Sequence, residues 1–320
     1  MELAVKMISS DRISIFAMIW LLLLCGACTV RAGDSIALDE APDAKPSFGV
    51  FTNPEHVTIE GYTQDAMEPF ISPDGNYLFF NSSNNTRPTN LYYATAVDMT
   101  GLTFQFQGEI VGANSGGMTL SAVPSMDINN IFYFISDRSY AQTFSTIYSG
   151  MFSNGSVSNV ALVPGVSKDK LNDVNFDQCI SPDGGTLYFV DGVFSGGASV
   201  PAAATIAIAE RNGNQFKRLK NSAEIMRKIN THDLNYAPDV SKSGLEFFFT
   251  RIPIHDSQPK PPPVIYTATR SSVSKPFGTP RKIAAITGFA EAPALSPDEK
   301  SLYYHEQVSG TFVIYRVTRP

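Results

Sequence analysis

Apolar and polar positions alternate over short spans through most of this chain, and turn residues interrupt the alternation at short intervals. The sharpest example is Ile71–Phe80, ISPDGNYLFF. An apolar run enters Ser72-Pro73-Asp74-Gly75 and a longer one leaves it. Pro73 presets the φ of the second turn position, Ser72 suits the first, and Gly75 supplies the positive φ that closes a type I turn. The pattern predicts a β-hairpin. In the second run, Leu78 and Phe80 share one face while Tyr77 and Phe79 share the other. A strand apolar on both faces is expected to be covered on both sides.

The unit recurs. Cys179–Val190 reads CISPDGGTLYFV and Leu295–Tyr304 reads LSPDEKSLYY. Pro124–Ser136, PSMDINNIFYFIS, and Pro238–Arg251, PDVSKSGLEFFFTR, are looser copies. Asp74 and Asp183 are 109 residues apart, Asp183 and Asp298 are 115 apart, and a looser copy sits near the middle of each interval. The period is therefore about 55 residues, close to the ~50 of a propeller blade built from several short strands.

The chain reads as an all-β, five-bladed β-propeller. The first two strands of the blades are expected at Met67–Ile71 and Tyr77–Asn81, Val123–Met126 and Ile131–Ile135, Phe176–Ile180 and Thr186–Val190, Tyr236–Val240 and Leu245–Arg251, and Ala292–Leu295 and Ser301–His305. Third and fourth strands follow in the first four blades, the fourth of blade four being expected over Pro276–Ile283. The fifth blade has only Phe312–Val317 after its hairpin. Phe48–Ile59, read as a kinked strand, precedes blade one, so Phe48–Val57 is expected to pair with Phe312–Val317 and close the ring, removing a sheet edge. Phe48–Ile59, Leu102–Val111 and Lys275–Ile283 each place Phe shortly before a short β-like run. Gly192–Ala204 and the proline-rich Ile252–Pro263 are expected as loops, and Asn221–Asn230 as one short helix.

These turns with aromatic second strands resemble the TolB-type, WD40-like propeller repeat over roughly residues 48–320. The resemblance implies the fold and a scaffold role in an exported bacterial protein, with little chemistry. The chain shows no counterpart of TolB's separate N-terminal domain, so TolB's place in its envelope system is not carried over.

Ile13–Leu24, ISIFAMIWLLLL, is apolar for 12 residues, short for a bilayer span and suited to a signal-peptide core. Cys25-Gly26-Ala27-Cys28 follows and resembles a bacterial lipobox, with Cys25 where Leu is usual. The expected division is signal peptide 1–27, flexible tether 28–47 and propeller 48–320, with lipid at Cys28. The rival is cleavage after Ala32 without lipid. Location is then periplasmic or anchored at the outer membrane. The body keeps one thiol, Cys179, read as a small buried hydrophobe.

Net charge is −6 with no basic run, which gives no support for nucleic-acid binding. Nucleophile-elbow, zinc-protease, Walker and dinucleotide motifs are missing, and no cofactor is expected. His56, His232, His255 and His305 are scattered without metal spacing. One face does gather polar residues: the end of each hairpin away from its turn. It should carry Glu68, Asn81 and Ser82; Ser136, Asp137 and Arg138; Asp177 and Asp191; Asn235, Tyr236 and Arg251; and Glu291, His305 and Glu306. Glu68, Arg138, Tyr236, Arg251 and His305 are the candidates for binding a protein or glycan partner. Asp177, Asp191, Glu291 and Glu306 are the candidates if the mouth hydrolyses glycosides, where two carboxyl groups act as acid and base or nucleophile. Asp177 with Asp191 could instead hold Ca²⁺. Tyr92, Tyr93 and Tyr236 are expected as exposed aromatics able to stack on sugars or peptides. A monomer is expected.

Overall fold

A computed structural model describes residues 48–84, 88–194, 201–254 and 261–320. The signal segment, Cys28, the tether and His255 lie outside the described residues. Two strands precede the first hairpin, β1 (Thr52–His56) and β2 (Thr58–Glu60). Blade one is β3 (Met67–Ile71), β4 (Tyr77–Asn81), β5 (Leu91–Ala96) and β6 (Thr103–Glu109). Blade two is β7 (Ser121–Met126), β8 (Ile131–Ser136), β9 (Ile147–Ser153) and β10 (Ser156–Leu162), with a one-turn helix α1 (Tyr140–Thr143) between β8 and β9. Blade three is β11 (Asp173–Ile180), β12 (Thr186–Val193), β13 (Ala203–Asn212) and β14 (Gln215–Arg218), followed by α2 (Ser222–Ile225). Blade four is β15 (Leu234–Val240), β16 (Glu246–Ile252), β17 (Val264–Thr269) and β18 (Arg281–Lys282). Blade five is β19 (Ala290–Leu295), β20 (Ser301–Val308) and β21 (Thr311–Thr318).

Strand β1 completes blade five by pairing antiparallel with β21, Glu55 opposite Arg316 and His56 opposite Tyr315. The ring closure expected from the sequence is therefore present. The segment does more than that. At Val57, whose N–H reaches Ile314 O, the chain kinks, and β2 pairs in parallel with β6 of blade one. Adjacent stretches of one segment thus belong to blades five and one. The expected fourth strand of blade four shrinks to Arg281–Lys282. The helix expected over Asn221–Asn230 is the short α2 followed by turns.

Both faces of the second strands are covered, as their composition requires. Leu78, Phe79, Phe80, Phe132, Phe134, Phe189, Phe247, Phe248, Phe249 and Tyr304 are fully buried. The hairpin turns repeat one set of bonds. Ser72, Ser181, Ser241 and Ser296 accept the N–H of Gly75, Gly184, Gly244 and Glu299 on their carbonyls. Their hydroxyls accept the N–H of Tyr77, Thr186, Glu246 and Ser301. Asp127 replaces this serine in blade two.

A second repeat joins neighbouring blades. Arg211, Arg270 and Arg319 stand at or just past the end of the third strand of blades three, four and five. Each donates through Nε to the carbonyl of its own hairpin turn, at Gly184, Gly244 and Glu299. Each also reaches back to the second strand of the preceding blade, at Tyr133, Tyr188 and Glu246. Each stacks on a phenylalanine of its outer segment: Phe216, Phe277 and Phe51. Phe51 and Phe277 belong to the Phe-before-strand segments noted in the sequence.

Candidate functional site

Strands β3, β7, β11, β15 and β19 line the axis and contact one another in ring order. Each carries a register shift at the same place. The residue there has positive φ in every blade: Glu68 (53°), Val123 (53°), Asp177 (43°), Ala237 (47°) and Ala292 (54°). In four blades the next residue is proline, Pro69, Pro124, Pro238 or Pro293, and in blade three it is Gln178. A β-bulge aims its side chain away from the regular ladder and leaves an N–H without a ladder partner. A non-glycine residue at such φ costs on the order of 1–3 kcal/mol and persists only where its surroundings enforce it.

Here the enforcement comes from the preceding blade. His305 Nδ1 accepts Glu68 N–H at 3.0 Å, Asn81 Oδ1 accepts Val123 N–H at 3.0 Å, and Thr250 Oγ1 accepts Ala292 N–H at 3.0 Å. Asp177 Oδ2 accepts Ala237 N–H at 3.1 Å. Asn81, Thr250 and His305 hold one repeat position near the end of the second strand, opposite the residue just before the bulge. Between blades two and three, Gln178 takes over, donating to Val123 O and accepting from Ser125 Oγ. The space left between the bulges is only about 30 Å³.

Five of the anticipated residues meet in this layer: Glu68, Asp177, Tyr236, Glu291 and His305. Tyr236 O–H donates to Glu291 Oε1, and His305 Nε2 lies 3.2 Å from Glu291 Oε2. Because Nδ1 accepts a backbone N–H, the imidazole proton sits on Nε2 and points at Glu291. Burial drives the proton affinities. It raises Glu291 well above the carboxylate range, against the pull of the Tyr236 hydroxyl. It raises Asp177 similarly, helped by repulsion from Glu68 and Glu291. Glu68 is pushed up to about 7 by burial, against the opposing influence of His305 and Asn84. His305 is lowered to about 4 by burial, so it is neutral near pH 7. Asn84 Nδ2 donates to Glu68 Oε1 at 2.8 Å, while Glu68 Oε2 is buried and makes no hydrogen bond among the described residues.

The other anticipated residues are elsewhere or already engaged. Asp191 pairs with Arg218 and with Lys168 at 3.2 Å, and accepts Asn175 Nδ2 at 2.8 Å; it is in contact with blade-three groups rather than with Asp177. Asp177 holds Ala237 N–H while Asp191 is held by Arg218 and Lys168, so the two acids weighed as a Ca²⁺ alternative have separate partners. Among the described residues no group of three or more His, Cys, Asp or Glu is placed to hold a metal. Glu306 is half-buried on β20 and outside the bonded cluster, with its carboxyl raised by burial. Arg138 bonds Ala113 O and Ser136 Oγ and stacks on Phe134 and Tyr148. Arg251 bonds Asn235 Oδ1 and Ile229 O and stacks on Phe249 and Tyr266. Asp137 holds Leu120 N–H, and Ser82 holds Asn90 N–H.

The expected exposed aromatics are corrected. Tyr236 is buried beneath Glu291. Tyr92 and Tyr93 are half-buried in aromatic clusters with Phe80, Phe106 and Phe152, because the outer strands fold over them. Sequence reasoning missed Asn84 and Thr250. Thr250 had a signal, since it holds the repeat position of Asn81 and His305. Asn84 had none.

Neither a known protein family nor a curated protein matches the sequence. Solved structures do match in fold. One is a BT0996 RGII complex, with TM-score 0.55 and 9% identity over 86% of this protein and 92% of that one. Another is Zg3597, a family 117 glycoside hydrolase produced by the marine bacterium Zobellia galactanivorans, with TM-score 0.52 and 10% identity over 84% and 90%. TolB from Acinetobacter baumannii matches with TM-score 0.43 and 15% identity over 80% and 55%. At such identities the likeness to the first two establishes the propeller fold and nothing finer.

Proposed function

We propose that this chain is an exported propeller, tethered by lipid at Cys28, that binds a protein or glycan partner on the axial mouth. One observation carries the reading. In the buried layer, both oxygens of Glu291 face donors from this chain, Asp177 holds Ala237 N–H, and Glu68 Oε1 holds Asn84. Among the described residues of this layer, Glu68 Oε2 is the carboxylate oxygen that is buried without a hydrogen bond, on a bulge fixed by His305. A hydroxyl or amide N–H of a partner would satisfy it, and a buried acceptor left unmade costs about 1–3 kcal/mol.

The test is affinity capture and a glycan panel with purified protein, followed by Glu68→Gln, which offers a donor-bearing amide in place of the carboxyl. Loss of the captured partner supports the proposal. Capture unaffected by this change, with the fold intact, would remove the mouth from the account. The anchor is tested separately by mass spectrometry of the mature N-terminus, which distinguishes a lipidated Cys28 from cleavage after Ala32.

A second reading is glycoside hydrolysis. It is supported by three carboxyl groups of raised proton affinity in one layer, since a general acid must stay protonated near neutral pH. The fold shared with a glycoside hydrolase adds to it. Turnover on the panel, abolished in Glu291→Gln and Asp177→Asn, would establish it.

A further inference from the structure

The three interblade arginines differ in their counter-charges. Arg319 lies 2.9 and 2.8 Å from the two carboxylate oxygens of Glu246. Arg211 is exposed. Arg270 is only 4% exposed, yet its hydrogen-bond partners are neutral: Gly244 O at 2.7 Å and the Tyr188 hydroxyl at 3.1 Å. No carboxylate pairs with it among the described residues. A buried guanidinium without an anion is costly, and the face of Phe277, 4.3 Å away, offsets only part of that.

Arg270 is also a wall of a cavity of about 380 Å³ between blades three and four, on the side of the hairpin turns and away from the mouth. That volume is in the range of small-molecule sites. Its inner wall is Tyr188, Ile208 and Ile225, and Ser181, Ser243 and Ser274 contribute hydroxyls. The remaining charges on its lining are Asp183, Glu210 and Lys242. Asp183 is already held by Ser181 Oγ–H at 2.6 Å and Gly185 N–H at 2.9 Å.

We propose that this cavity binds a small hydroxylated carboxylate, its carboxylate on the Arg270 guanidinium and its hydroxyls among the serines. The planar guanidinium matches a carboxylate in two parallel bonds. Two cations and two carboxylates line the cavity, so one bound negative charge leaves a small imbalance. A phosphate dianion would add a second charge near Asp183 and Glu210.

Calorimetric titration tests this with D-glucuronate as the probe, against D-glucose and inorganic phosphate. Two variants accompany the wild type. Arg270→Gln removes the cation. Val273→Trp, at a rim residue 60% exposed, adds bulk to the cavity while keeping Arg270 itself. The expected result is millimolar or tighter glucuronate binding, at least tenfold weaker binding of glucose and phosphate, and at least tenfold loss in both variants. Should Arg270→Gln fail to fold, Val273→Trp decides alone. Absence of glucuronate binding to folded wild type, a preference for phosphate, or unchanged affinity in Val273→Trp overturns the proposal.

Discussion

His305, on the second strand of blade five, accepts the backbone N–H of Glu68, on the inner strand of blade one, at 3.0 Å. The bond spans the seam where the ring closes. It holds Glu68 in its positive-φ bulge and fixes the imidazole tautomer that faces Glu291.

Replacing His305 with Ala should therefore leave Glu68 N–H buried without a partner and remove a donor from Glu291. The expected loss is about 1–3 kcal/mol in urea unfolding. His305→Asn, which copies Asn81 at the same repeat position, should recover part of it. Equal stability of His305→Ala and wild type would remove the seam bond from the account.

Glu68 also predicts a pH dependence. Its carboxyl is raised from 4.5 to about 7. Between these values the unfolded chain has released the proton and the folded chain keeps it. Stability from this group is thus fully present below pH 4.5 and is lost as pH rises through about 7, by on the order of 3 kcal/mol. His305, lowered to about 4, acts oppositely: its contribution is present above 6.5 and is lost as pH falls toward 4. Unfolding of Glu68→Gln across pH 5–8 should decline less steeply than that of wild type, the remaining slope coming from Asp177 and Glu291, which burial also raises. Parallel profiles would refute the assignment.

Ring closure rests on buried rings more than on ion pairs. Phe51 is 5% exposed, packs edge-on to Phe248 and lies under Arg319. Phe51→Ala should cost about 3–5 kcal/mol. Glu55 faces Arg316 at 3.1 Å with its side chain 40% exposed, so Glu55→Ala should cost less than about 1 kcal/mol. Thermal denaturation of the two variants checks the ranking, and reversal of it would argue against closure by packing.

Arg319 and Glu246 form a buried pair, 5% and 4% exposed at their side chains. Arg319→Met should destabilise by about 3–5 kcal/mol, because Glu246 is left without its counter-charge. The double change Arg319→Met with Glu246→Leu should recover most of that. A double variant no more stable than the single one would show that the pair is not what the arginine contributes.

The hairpins were legible because one chemistry repeats. Met67–Ile71 and Tyr77–Asn81 have the expected limits, since proline and serine mark the turn and aromatics mark the strand. Limits blurred where those markers thin, as at β18, where the segment after Pro276 forms only two ladder residues. The split of Phe48–Ile59 between two blades was not legible, because Thr58–Glu60 reads as a continuation of one strand. In the mouth, position along the hairpin identified Glu68, Asp177, Tyr236, Glu291 and His305. It could not separate them from Asp191, Arg138 and Arg251, because side-chain reach decides which charges meet. Arg218 captures Asp191, and aromatic faces capture the two arginines.

The mouth rests on Glu68, a half-buried residue held at the seam with its Oε2 buried. Carbon-detected NMR of its carboxyl, assigned by its disappearance in Glu68→Gln, tests that most directly. A signal titrating near pH 7 is the predicted result. Titration in the ordinary range around 4.5 would contradict the buried layer, and with it the mouth as a binding site.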